Sequence, residues 1–210
     1  MKENVGLCGA QRVGKSTLAR EYATQAGIKF FETSAARVFA KRGFDPKVDY
    51  SIDVRLLIQQ EILDEYANDI CAYTLTDDVV FITDRTPIDM MAYLLADVQR
   101  KPYTDAIENK VEIYVKNCYE VTNECIPTLV FIQPGIKPVE AEGKAPSSYA
   151  YTEHISMLIS GLINDTRFRG DCIYMPREVT SLSDRVDRIN YIQNVLPAVF
   201  EKALLGIGNS

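Results

Sequence analysis

The sequence predicts a doubly wound α/β fold, a five-stranded parallel sheet flanked by helices with a flexible lid. Three observations predict it. Five short, near-continuous apolar runs (Val5–Cys8, Ile28–Phe31, Val79–Thr83, Thr128–Ile132 and Cys172–Met175) read as parallel strands covered on both faces. Helix-like segments lie between them, so that strands and helices alternate along the 210 residues. The first run leads directly into Gly9-Ala10-Gln11-Arg12-Val13-Gly14-Lys15-Ser16-Thr17, a full match to the phosphate-binding pattern G-x-x-x-x-G-K-[ST].

Ser16 to Gln25 is a helix-forming run that follows the first strand and this loop. Ser51 to Tyr73 is the clearest long helix, with Leu56, Leu57, Ile58, Ile62, Leu63, Tyr66 and Ile70 on a broad apolar stripe. Thr86-Pro87-Ile88-Asp89 opens another, with a capping-box-like start and proline at the first helical position. A further helix begins near Ser181, has Asp184 three residues on, and runs to about Leu205. Gln133 to Tyr149 differs from all of these. It holds Pro134, Gly135, Pro138, Gly143 and Pro146 with Lys137 and Lys144, and it has no hydrophobic period. Lying between a strand and a helix at the sheet end where ligands bind, it reads as a mobile lid. No internal repeat divides the chain, and residues 1–210 are expected to form one domain.

Composition narrows the function classes. Net charge is −6 and the pI about 4.9, without the basic footprint of a strong nucleic-acid binder. The five cysteines, Cys8, Cys71, Cys118, Cys125 and Cys172, are odd in number and form no C-x-x-C, which suits small apolar thiols in a reducing compartment. His154 is the only histidine, which argues against histidine-built zinc sites and Ser-His or Cys-His catalysis. No apolar stretch reaches 18 residues, and the first strand starts too early to leave room for a signal peptide. A cytoplasmic protein with no membrane partner is expected.

The loop between strand and helix carries the chemistry. There the unpaired N–H groups and the positive end of the helix dipole face one point, and a polyphosphate is the natural occupant. Gly9 and Gly14 let the backbone bend and approach the phosphate oxygens. Lys15 places a point charge between β- and γ-phosphates, and the Ser16 hydroxyl can ligate Mg²⁺. Asp84 ends the third strand, where a carboxylate can hold a Mg²⁺-bound water or take a proton from an attacking hydroxyl. Arg85 points into the same crevice with a planar fork suited to phosphate. Asp89 is accounted for by its place in the capping box. Arg37 follows the second strand, and Arg55 and Gln59 share a helix face four residues apart; together they could hold a phosphate and read a base edge. Tyr50, Tyr149 and Tyr151 offer stacking surfaces.

On Gly9–Thr17 and on Asp84-Arg85-Thr86 with Asp89, the chain resembles the P-loop nucleoside and nucleotide kinases, the group of thymidylate, deoxynucleoside and ribosylnicotinamide kinases. Small phage-encoded kinases carry similar patterns, and Thr33–Phe39 has that flavour. The resemblance covers most of residues 1–175 and implies a P-loop NTPase fold, with ATP and Mg²⁺ as cofactors. One class of thymidylate kinases also has arginine at the position of Arg12 and lacks lid arginines. Here Gln133–Tyr149 likewise contains no arginine, so the resemblance implies that Arg12 neutralises the transferring phosphoryl group. In place of the thymidylate-kinase acidic residue and proline after the second strand stand Phe30-Phe31-Glu32-Thr33, and Ser34 opens the segment where ribosylnicotinamide kinases carry E-x-A-R. The acceptor therefore stays open among a sugar hydroxyl, a 5′-phosphate and a hydroxymethyl group on a base, and the general base between Asp84 and Glu32.

The leading expectation is an ATP- and Mg²⁺-dependent phosphotransferase acting on a nucleoside or nucleotide. Lys15, Arg12, Asp84 and Arg85 form its catalytic set, residues 9–17 hold the nucleotide, Ser16 and Asp84 hold the metal, and Glu32, Arg37, Arg55, Gln59 and Arg85 meet the acceptor. A kinase of a hydroxymethyl pyrimidine in DNA and a non-kinase ATP-binding switch are the alternatives. DNA is a partner only in the first of these. A homodimer is left open.

Overall fold

Strand β1 (Val5–Cys8) is apolar throughout because both its faces are covered, and all of its residues are buried. It is central in the computed structural model, which describes residues 4–33, 35–45, 48–74, 80–98, 104–136 and 148–192. The other strands are β2 (Lys29–Phe31), β3 (Phe81–Thr83), β4 (Thr128–Ile132) and β5 (Asp171–Met175). All pairings are parallel and the order across the five-stranded sheet is β2-β3-β1-β4-β5. The expected doubly wound sheet is therefore present. Its strand bounds differ by a residue or two from the apolar runs, and Val79 lies outside the described residues.

The strand order fixes where a ligand can sit. From β1 the chain crosses over β3 to β2, and from β3 it crosses β1 to the other side to form β4. These opposite departures open a crevice beyond the carboxyl ends of β1 and β3. Val5 lies opposite Ile82 and Gly6 opposite Thr83, so the two strand ends come level. The loop that starts at Gly9 and the pair Asp84-Arg85 leave the sheet side by side.

Helix α1 (Lys15–Ala26) packs on β1, β2 and β3 and against α7 (Leu182–Asn190). Helix α4 (Pro87–Val98) packs among α3 (Ile52–Thr74), α5 (Asp105–Cys125) and α6 (Tyr149–Ile163), while α2 (Ala35–Arg42) leans on α3. Among the described residues no helix is long and apolar enough to cross a membrane.

Several sequence expectations change in detail. Leu57 is 52% exposed, because it follows Leu56 by about 100° around α3 and leaves the apolar stripe, which the other six residues keep. Helix α5 was not anticipated. It buries Ile107, Tyr114, Val115, Cys118, Tyr119, Thr122 and Cys125, a helical spacing built largely from residues of middling hydrophobicity. The helix expected from Ser181 starts there, with the Ser181 hydroxyl accepting from the Asp184 N–H at 3.2 Å, and α7 is described to Asn190. Residues 193–205 of that expectation lie outside the described residues, as do 137–147 of the expected lid. Cys8, Cys118, Cys125 and Cys172 are in no disulfide, and the first three are buried.

Candidate functional site

The loop Gly9 to Gly14 turns sharply because its backbone enters the left-handed region three times. Gly9 has φ 152°, Arg12 64° and Gly14 90°. Only glycine is free of strain there, and at Gly9 a Cβ would also lie 2.6 Å from the Ile132 carbonyl oxygen. Gly14 is the N-cap of α1 and has no side chain to accept from the first-turn N–H groups of α1. This is the anion-binding geometry of a helix N-terminus.

The loop is held from outside. The Gly9 N–H donates to Asp89 Oδ1 at 2.8 Å, while Asp89 Oδ2 accepts from the Thr86 N–H at 3.0 Å and the Thr86 hydroxyl at 3.3 Å. Asp89 thus does more than cap α4: it ties the start of α4 to the start of the loop. It is 1% exposed, and burial pushes its carboxyl up, opposed by Lys15 and by its backbone donors. One turn further along α4, the Tyr93 phenol lies close to the Gln11 backbone, and burial pushes its hydroxyl up. From α7, Arg185 Nη1 donates to the Val13 carbonyl at 2.8 Å. Gly9 and Val13 are therefore anchored by side chains from α4 and α7.

The crevice side presents the reactive groups. Lys15 Nζ donates to the carbonyls of Gly9 at 2.5 Å and Ala10 at 2.9 Å, and burial pushes its ammonium down. The Ser16 hydroxyl donates to Asp84 Oδ2, and the Thr33 hydroxyl to Asp84 Oδ1 at 3.4 Å. The register of β1 and β3 produces this meeting of loop hydroxyl and strand-end carboxylate. Hydroxyl and carboxylate oxygens are the donors a hard cation takes, with phosphate oxygens and water completing its shell.

The remaining expected residues separate into two groups. Arg37 and Arg85 line one narrow pocket with Thr33, Tyr66, Asp69 and Met90, enclosing about 20 Å³, the space of roughly one water. Arg37 is held there by Glu65 at 3.0 Å and Asp69 at 2.7 Å. Arg55 and Gln59 do not line it. They lie earlier on α3 than the residues that do, and Arg55 meets Asp97 at 3.7 Å, the Val48 carbonyl at 3.3 Å and the Tyr50 ring. Gln59 Oε1 is buried without a hydrogen-bond partner. Glu32 is exposed and faces Arg20 at 3.6 Å, away from the Ser16–Asp84 pair. Tyr149 is 77% exposed on α6. Sequence reasoning missed Tyr93, Thr33 and Arg185 and read only half of Asp89's part. The i, i+4 spacing of Asp89 and Tyr93 was a usable signal; Arg185, one arginine in a charged helix, offered none.

The sequence profile of the AAA domain family matches residues 4–121. Comparison with curated proteins finds no match. Among solved structures, deoxyadenosine kinase from M. mycoides, with the products dCMP and a flexible dCDP bound, superposes with a TM-score of 0.63 at 12% identity, covering 92% of this chain and 100% of that one. The NadR protein in complex with NAD and AMP-PNP gives 0.63 at 14% identity, over 92% of this chain and 50% of that one. The YorR protein of Bacillus subtilis, in complex with phosphorylated GDP, gives 0.52 at 12% identity, over 90% and 94%. The chain belongs to the AAA domain family, and its five-stranded parallel sheet is the fold of the P-loop nucleoside and nucleotide kinases.

Proposed function

We propose that the chain is an ATP- and Mg²⁺-dependent phosphotransferase that moves a γ-phosphoryl group to a nucleoside or nucleotide, working as one domain in the cytoplasm. The observation that supports this most is the Ser16–Asp84 hydrogen bond, which joins the phosphate loop to a carboxylate from the neighbouring strand across the crevice. The pocket next to it adds the guanidinium groups of Arg85 and of Arg37, the latter paired with Glu65 and Asp69 on the same lining. Deoxyadenosine kinase and NadR, whose structures contain nucleotides, share the fold and lend the reading its chemical class.

In this reading Ser16 and Asp84 would hold Mg²⁺, which would supply neutralising charge to the phosphates. Lys15 exchanges its two carbonyl acceptors for phosphate oxygens. Arg12 meets the charge that develops on the transferring group. A hydroxyl acceptor gives its proton to Asp84; the outward turn of Glu32 toward Arg20 favours Asp84 over Glu32 in that part. A phosphate acceptor is already ionised and needs no base. Arg85 and Arg37 grip the acceptor, and Arg55 and Gln59 take its more distant parts.

A screen of radiolabelled γ-phosphate transfer to nucleosides, nucleoside monophosphates and hydroxymethylated DNA tests the reading. Label should appear on one nucleoside or nucleotide. Label on DNA alone would move the acceptor to a base in a polymer. ATP turnover without transfer to any acceptor, rising with protein concentration, would overturn the kinase in favour of a switch.

A further inference from the structure

Arg185, on α7, is the largest fully buried side chain of the described structure, 2% exposed. It is a cation without a counter-ion: no Asp or Glu among the described residues pairs with it, and burial alone pushes its guanidinium down. Its partners are two carbonyls, Val13 at 2.8 Å from Nη1 and Val179 at 2.7 Å from Nε, while Nη2 is buried without a hydrogen-bond partner. Burying an unpaired charge is costly unless something in the working state compensates it. The guanidinium lies against the bare Cα of Gly14, where a Cβ would come within 3.3 Å of Nη1.

The peptide unit between Val13 and Gly14 is planar and trans, so its C=O and N–H point in opposite directions. A bond that draws the Val13 carbonyl toward α7 turns the Gly14 N–H away from α7. The same charge sits directly behind the turn that opens α1. We infer that Arg185 is a positioning residue for a bound polyphosphate, aiming the Gly14 N–H at the anion and drawing its missing counter-charge from that anion. This rests on the nucleotide site proposed above.

Calorimetric titration of the full chain with inorganic tripolyphosphate and with ATP, both with Mg²⁺, tests it. Wild type should bind both. Arg185→Met should weaken both by roughly tenfold, the scale of one charged hydrogen bond, and Arg185→Lys should recover part of the loss. A purely structural arginine would lower the melting temperature of both variants and leave affinity per folded molecule unchanged; that result overturns the inference while the nucleotide site stands. Wild type that binds neither ligand overturns the nucleotide site itself. Arginine-labelled wild type gives a reading that needs no folded Met variant. Its Arg185 Nε–H resonance, assigned by its loss in Arg185→Lys, should shift as tripolyphosphate saturates the protein, and a resonance that stays in place also overturns the inference.

Discussion

The two walls of the crevice are built differently. The phosphate-loop wall is a short stretch of backbone fixed at Gly9 and Val13 by side chains of α4 and α7. The opposite wall is made of side chains on α2, α3 and the β3 end, held largely by surface ion pairs such as Arg37 with Glu65 and Asp69. Exposed pairs of this kind contribute little and rearrange easily. The first wall is a fixed backbone turn; the second encloses about 20 Å³, less than the nucleoside of the proposed reading would need. In the proposed reading, general phosphate chemistry falls to the rigid side and acceptor choice to the adjustable side.

The sharpest way to break this contrast is Lys15→Ala. It should lower phosphoryl transfer to every acceptor by roughly a thousandfold or more, because it removes a charge from the phosphates themselves. A loss confined to one acceptor would erase the division between the walls. Arg12→Ala should lower kcat by roughly a hundredfold with little change in ATP affinity; intact turnover would remove Arg12 from the chemistry. Asp89→Ala should cost about 2–3 kcal/mol in denaturant unfolding, since the buried Gly9 and Thr86 N–H groups lose their acceptor. An unchanged midpoint would mean that the loop is not held from α4.

On the adjustable wall, Gln59→Leu should change stability by less than about 1 kcal/mol, because the Oε1 it removes is buried without a partner. It should instead raise KM for the acceptor and leave KM for ATP alone. The smallest effect belongs to the turn after α6, outside both walls. There Arg167 holds the Asp165 carboxyl down to about 2, below its ordinary 3.8. A depressed folded-state value stabilises above the unfolded value, and that stabilisation fades as pH falls through the folded one. Asp165→Asn should therefore melt slightly below wild type at pH 5 and together with it near pH 2.

The sequence made the first wall legible and the second only in outline. Gly9–Thr17 is a local motif whose spacing dictates its own shape, and Asp84 could be placed from the end of one apolar run. Arg37 and Arg85 converge because β2 pairs with β3, which two apolar runs could suggest. The separation of Arg55 and Gln59 from that pocket depends on how far along α3 the pocket falls, and residue spacing alone does not carry that. Arg185 meets Val13 across 172 positions of chain, a contact that only the packing of α7 on α1 creates. Helix α5 escaped notice because tyrosine, cysteine and threonine fill positions where leucine would have announced it.

Arg12 stands at φ 64°, where a glycine would rest without penalty and any other residue carries roughly 1–2 kcal/mol. Arg12→Gly should therefore relieve that backbone strain and yield a slower protein. In the proposed reading durability and turnover pull in opposite directions at this one position, and selection for heat resistance alone would drift toward the slower version.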